Sequence, residues 1–128
     1  ELQARAEIAL TKKRWPKAEV TWEPFLEASL WLPDENDRHV LAAAVASSAD
    51  FIVTLNVSDF PQATLRNEGL DRIDPDNLLI RAHQKYSKEI RELGLKVTAD
   101  ASLFFKKTLY MPILLKKARL PRLARALR

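Results

Sequence analysis

Apolar residues recur along this chain in two rhythms: a helical one that dominates, and one short continuous run near the middle. Leu2, Ala6, Ala9 and Leu10 fall at helical spacing within residues 1–14. Lys12, Lys13 and Arg14 close that segment with the positive charge that suits a helix C-terminus. Trp15-Pro16 stops the helix, because the residue before a proline is pushed out of the helical region. Residues 18–22 alternate as a short strand would, with Val20 and Trp22 on one face. Residues 24–33 carry Phe25, Leu26, Leu30, Trp31 and Leu32 and read as an apolar loop or short helix.

Asn36 or Asp37 can cap the next helix, which the pattern extends to about Ser48. Its Ala42, Ala43, Ala44 and Ala46 permit a close approach to a sheet. The run FIVTL, Phe51 to Leu55, is continuous and bounded by polar residues, as expected of a strand buried on both faces. Residues 61–68 predict a short helix ended by Gly69, and residues 70–73 a second short strand. Asp74-Pro75-Asp76 combines a cap, a proline at the first helical position and an acid in the first turn. That helix is predicted to reach about Leu93 and break at Gly94. Thr98 then caps a helix that Pro112 ends near Tyr110, and residues 112–117 and 121–127 give two short helical pieces. The order predicts an α/β domain over residues 1–80 with a mainly parallel sheet, and a helical extension over residues 81–128.

Composition narrows the class without naming a function. A chain of 128 residues with 47% hydrophobic and 30% charged content suits one soluble globular domain. Its longest apolar run, Val40 to Ala46, is far short of the roughly 20 residues of a membrane helix. No cysteine is present, which excludes disulfides and thiolate metal sites. Glu1 rather than Met opens the chain inside a predicted helix, so a natural translation start is not expected there; cleavage or truncation would each account for it. Charge is unevenly divided. Residues 1–80 hold 8 Lys/Arg against 14 Asp/Glu, a net of −6, and residues 81–128 hold 13 against 3, a net of +10. An acidic half beside a basic tail suggests a cation site next to a polyanion-binding surface; solvated helix faces are the plainer alternative.

The acids give that suggestion a location. Asp34, Glu35 and Asp37 precede the Ala-rich helix, and Asn56 and Asp59 follow the apolar strand. If helix and strand pack as an αβ unit, both sets of oxygens reach one sheet edge, where a hard divalent cation could be held. Two close carboxylates would raise each other's pKa unless a cation sat between them. Magnesium suits such a site because it needs only one or two carboxylates and keeps waters and substrate phosphates around it. The implied chemistry is attack of a metal-activated water on a phosphodiester. Taken singly, Asp37 reads equally as an N-cap and Asp59 as the start of a turn before Phe60-Pro61.

Residues 37–61, DRHVLAAAVASSADFIVTLNVSDFP, resemble the second half of a PIN domain, the nuclease fold of many VapC-like toxins of bacterial toxin–antitoxin pairs. The resemblance rests on an Asp opening an Ala-rich helix, a polar break, an apolar strand closing in Thr-x-Asn, and then Asp-Phe-Pro. RWPKAEVTWEP before it, and Gly69-Leu70 with Asp74-Pro75-Asp76-Asn77-Leu78 after it, are similar to the family's flanks. It implies a three-layer α/β/α fold with a mainly parallel sheet, and RNA cleavage with Mg²⁺ or Mn²⁺ held by three or four acids. Carried over by residue, Asp37 matches the third family acid and Asp59, with Asn56 beside it, the fourth region. Thr54 matches a strand-end hydroxyl that lines the site, and Glu1-Leu2 answers to the helical Glu-Leu motif of the second acid. The resemblance further implies an RNA substrate, an antitoxin partner, a homodimer in some members and a cytoplasmic setting.

One family element is absent. No segment matches the opening strand, whose Leu-Asp-x-Asn motif carries the first acid, so these residues alone are not expected to form a competent nuclease. The leading expectation is a PIN-type endoribonuclease toxin without its first strand; the rival is an inactive PIN-like module that binds RNA or a partner. Arg38 could contact the scissile phosphate, and Lys106, Lys107, Lys116 and Lys117 of the tail could attract RNA. Docking of the tail on an acidic partner competes with that reading. Few aromatics interleave with the tail charges in sequence, which argues against base stacking there. Trp15, Trp22 and Trp31 are expected to pack on the sheet, with a groove for a partner helix as the alternative.

Overall fold

Helix α1 spans Leu2–Arg14 in the computed structural model, which describes all residues from Glu1 to Arg128. The chain resolves into two compact units, one of residues 1–52 and 56–72, the other of residues 53–55 and 73–128.

In the first unit, α1 buries none of its residues, and Leu2, Ile8 and Leu10 all stay more than half exposed. A tight 3-10 turn over Pro16–Ala18 follows, and Lys12 pairs with Glu19 at 3.1 Å across the bend. The strand expected over residues 18–22 does not form. Ala18 closes the 3-10 turn, residues 19–22 form no ladder, and Val20 and Trp22 are only half-buried; of these Trp22 alone packs on the core. Trp15 and Trp31 are more than half exposed, against the expectation of packing, and Trp15 instead lies under the Arg14 guanidinium at 4.8 Å.

Helix α2 (Pro24–Ser29) and helix α3 (Arg38–Ala46) enclose the unit's core with strand β1 (Phe51–Val53) and helix α4 (Gln62–Asn67). Leu32, Leu41 and Leu65 are fully buried there, together with Ile52, Phe60 and Leu70. Each such side chain stabilises the fold by roughly 1.5 to 3 kcal/mol. Ala42 and Ala44 give α3 the flat, small face that lets it lie on this core.

Strand β1 pairs with β2 (Asp71–Ile73) in a two-stranded sheet. The Asp71 N–H donates to Asp50 O at 3.1 Å and the Thr54 N–H to Ile73 O at 3.0 Å. Both strands therefore advance in the same sense, and the expected α/β class with a parallel sheet is observed. The strand itself differs from expectation. It spans three residues, and only one face is buried: Ile52 is covered, while Val53 and Leu55 remain 49% and 55% exposed. Its apolar run has a packed core on one side only.

In the second unit, α5 (Pro75–Lys85) starts at Asp74, whose carboxylate accepts from the Asn77 N–H at 2.8 Å. The chain then breaks at Tyr86, and α6 (Ser87–Phe104) runs straight through Gly94. Gly94 is a packing residue rather than a stop. A Cβ there would meet Met111 Sδ at 2.9 Å and Leu127 Cδ1 at 3.2 Å, so its hydrogen lets the helices come together. Thr98 is no cap either: it is buried mid-helix and its hydroxyl donates to Gly94 O at 2.8 Å. Helix α6 stops at Phe104, and Pro112 opens α7 (Met111–Lys117) instead of ending a helix. Helix α8 (Pro121–Ala126) closes the unit around Met111, Leu123 and Leu127.

Two polar contacts fix α8. The Asp76 carboxylate, 6% exposed, accepts from the Arg122 and Leu123 N–H groups at 2.9 Å each, which makes it the N-terminal cap of a distant helix. At the other end, the Arg91 guanidinium donates to Leu127 O at 3.1 Å and Arg128 O at 3.3 Å.

Candidate functional site

A four-residue link joins α3 to β1. Both contribute to the core of the first unit, and the sequence-predicted site residues stand at the start of α3 and on the chain leaving β1. Asp37 stands at the first of these positions, and Asn56 and Asp59 at the second.

Asp37 ends a 3-10 turn over Glu35–Asp37 that Asp34 stabilises by accepting from the Asn36 N–H at 2.9 Å. Asp37 then occupies the cap position of α3, but its side chain makes no cap hydrogen bond. The capping alternative raised by the sequence is thus not realised, and the half-buried carboxylate keeps its lone pairs for another ligand. Next to it, Arg38 pairs with Glu35 at 3.4 Å, while its Nε is buried without a hydrogen-bond partner. His39 is exposed.

On the strand side, the turn Asn56–Asp59 braces itself. The Asn56 amide donates to the Asp59 carboxylate, and Asn56 Oδ1 accepts from the Ser58 hydroxyl at 3.2 Å and the Asp59 N–H at 3.3 Å. Asn56 therefore orients Asp59 and holds the turn. Arg72 grips the same turn from β2: its guanidinium donates to Phe60 O at 2.7 Å and Val57 O at 3.3 Å. Arg72 is in turn preceded by Asp71, whose carboxylate gathers the Arg72 N–H at 2.8 Å, the Gln62 amide at 3.1 Å and the Arg66 guanidinium at 3.2 Å. These donors, the backbone N–H first, hold the Asp71 carboxyl below the usual carboxylate range.

Sequence reasoning passed over Asp71 and Arg72. The available signal was the strand alternation in Asp-Arg-Ile, which places Arg72 opposite its two neighbours.

Glu1 lies apart from any cluster. It is exposed and paired with Arg5 at 3.2 Å, one helical turn away. No three Asp, Glu or His side chains come within joint reach of a metal ion. The donors at Asp37 and Asp59 are hard oxygens, which fits a Mg²⁺ or Mn²⁺ that keeps most of its waters; they do not make a closed cage for a dehydrated ion. Thr54 belongs to the second unit, where its N–H bonds Ile73 O. Lys106, Lys107, Lys116 and Lys117 are exposed there and form no ion pair. No helix is long and apolar enough to cross a membrane.

Comparison with known proteins adds a sequence match over the N-terminal part of the chain. Residues 1–58 match the family model described as "PIN domain", so the resemblance read from Asp37 through Asn56 is borne out over that segment. The match stops before Asp59 and leaves the C-terminal helices outside it. The chain is also 46% identical over 59 residues to "Putative ribonuclease VapC50" of Mycobacterium tuberculosis. That alignment takes in 46% of this chain and 35% of the relative, so the chain spans about a third of the length of the curated protein it matches. No solved structure matches.

Proposed function

We propose that the chain contributes to a PIN-type, metal-dependent endoribonuclease, the toxin of a toxin–antitoxin pair. The observation that carries this reading is the uncommitted Asp37 carboxylate at the start of α3, inside the PIN-domain match. Asp37 and Asp59 would hold a Mg²⁺ or Mn²⁺ ion. Such an ion, when bound, lowers the pKa of its water and offsets charge on a phosphodiester. Asn56 keeps the Asp59 carboxylate turned and Arg72 keeps its turn in place. Arg38, directly after Asp37 in the chain, can meet a phosphate oxygen of RNA through its terminal guanidinium nitrogens. The relative's name, a putative ribonuclease, supports RNA as the substrate; the antitoxin partner rests on the family resemblance.

The test is RNA cleavage in Mg²⁺ by the full-length protein that includes these residues, wild type and Asp37→Asn, with chelator as control. The expected result is cleavage that chelator and Asp37→Asn each abolish. Equal cleavage by the two proteins removes Asp37 from the site.

A second reading is favoured by one observation, the lack of any three-acid cluster. On it, the chain is a PIN-like module that binds RNA or a partner without cutting. RNA binding that persists in chelator, with no cleavage at any Mg²⁺ or Mn²⁺ concentration, would select this reading.

A further inference from the structure

The C-terminal unit carries a surface that the nuclease reading does not use and that lies outside the PIN-domain match. Between the end of α6 and α7, a groove of about 310 Å³ is floored by Leu109, Ile113 and Leu114 and walled by Phe105 and Tyr110. Lys107 and Lys117 stand at its rim. A second recess, which shares Lys107, continues it along Leu103 and Lys106. The apolar side chains around it are open to solvent: Leu103 and Phe104 are 79% and 80% exposed, and Phe105, Tyr110 and Ile113 are all more than half exposed. A contiguous apolar patch of this kind, on a chain that otherwise covers Met111, Leu123 and Leu127 well, marks a surface that binds something.

The charge around the groove states what that something is. Residues 101–128 contain eight Lys or Arg and no Asp or Glu. Lys106, Lys107, Lys116 and Lys117 form no ion pair. An occupant must therefore bring apolar anchors for the floor and carboxylates for the lysines. We propose that this groove docks an acidic amphipathic helix of a partner protein, its apolar residues seated between Phe105 and Ile113 and its carboxylates facing Lys107 and Lys117.

Single-stranded RNA would also satisfy the lysines, and Phe104, Phe105 and Tyr110 flank Lys106 and Lys107 in the chain. The groove argues for the peptide on two counts. Its floor is aliphatic, with no donor or acceptor side chain to meet a base edge. Phe104 and Phe105 pack edge to face, with ring centres 5.0 Å apart and planes at 86°, so they do not offer one flat platform for successive bases.

The test is fluorescence anisotropy with a labelled helical peptide of about 15 residues, Leu at the i, i+3, i+4 and i+7 positions and Glu beside them. A second peptide has Lys in place of Glu, and a labelled oligoadenylate serves as the RNA probe. The proposal expects saturable binding of the Glu peptide, at least 10-fold tighter than the Lys peptide. Ile113→Asp and the pair Lys107→Glu, Lys117→Glu should each weaken it at least 10-fold. Circular dichroism should be unchanged, since all three side chains are exposed. Three results would overturn it: no saturable binding of the Glu peptide, binding that the substitutions leave intact, or oligoadenylate binding more tightly in a way the same substitutions abolish. Self-association of the free protein that Ile113→Asp disperses would also overturn it, by giving the groove to a second copy. Because the readout is binding, none of these results depends on whether the protein cleaves RNA.

Discussion

Replacing Asp76 by alanine removes the two acceptors that hold the first turn of α8. The carboxylate is buried and takes the Arg122 and Leu123 N–H groups at 2.9 Å. Arg122 is exposed, so water can replace its lost bond; loss of a cap of that kind costs about 1 kcal/mol. Leu123 is buried, so its N–H stays dry and unpaired, which costs about 1 to 3 kcal/mol more. The sum is about 2 to 4 kcal/mol, a large part of the stability of a chain this size. Urea unfolding followed by circular dichroism should show the midpoint fall with little change in slope. Asp76→Asn, which keeps one acceptor, should lose less than the alanine variant. An Asp76→Ala protein within about 0.5 kcal/mol of wild type would refute the assignment of Asp76 as the α8 cap.

Three further outcomes follow from the packing. Gly94→Leu should destabilise by about 1 to 3 kcal/mol in thermal unfolding, because a side chain there meets Met111 and Leu127; a neutral effect would contradict the close approach. Arg72→Ala should speed amide hydrogen exchange at Ser58 to Phe60 while leaving α8 protected, since the guanidinium holds the carbonyls of Val57 and Phe60; unchanged exchange in that turn would remove its positioning role. The Asp71 carboxyl is held below its usual range, so its contribution is fully present above the unfolded pKa of about 3.9 and is lost as pH falls through the lower folded value. The stability difference between wild type and Asp71→Asn should therefore shrink as pH is lowered below about 4; a constant difference would show that this carboxylate is not the one titrating.

What the sequence disclosed and what it hid follow from physical causes in particular residues. Proline starts and helical caps were legible: Asp74-Pro75 opens α5 as read, because cap and proline act locally. Helix stops were legible where proline or glycine marks them: Trp15-Pro16 ends α1 at Arg14 as read. Gly69 ends α4 in the left-handed region with φ 81°, as expected. Ser48, Lys106 and Arg119 take the same conformation after α3, α6 and α7, with nothing in their identity to announce it. Gly94 misled in the opposite sense, since its missing side chain serves contact with Met111 and Leu127, residues that only the tertiary fold brings near. The candidate site divides in the same way. Asp37 and Asp59 could be picked out from local pattern, whereas the grip of Arg72 on the Asn56–Asp59 turn joins positions more than ten residues apart. Likewise, Phe105, Lys107 and Tyr110 stand close in sequence, but Ile113, Leu114 and Lys117 join them in one groove only through the fold.

The central claim is that Asp37 and Asp59 serve one cation, and paramagnetic broadening by Mn²⁺ reads that directly. In amide correlation spectra of the protein, substoichiometric Mn²⁺ should broaden the signals of Asp37 and Arg38 together with those of Ser58 and Asp59, and Asp37→Asn should weaken both effects in parallel. Broadening confined to one of the two segments, or broadening of the Asp59 turn that Asp37→Asn leaves unchanged, would contradict a shared site.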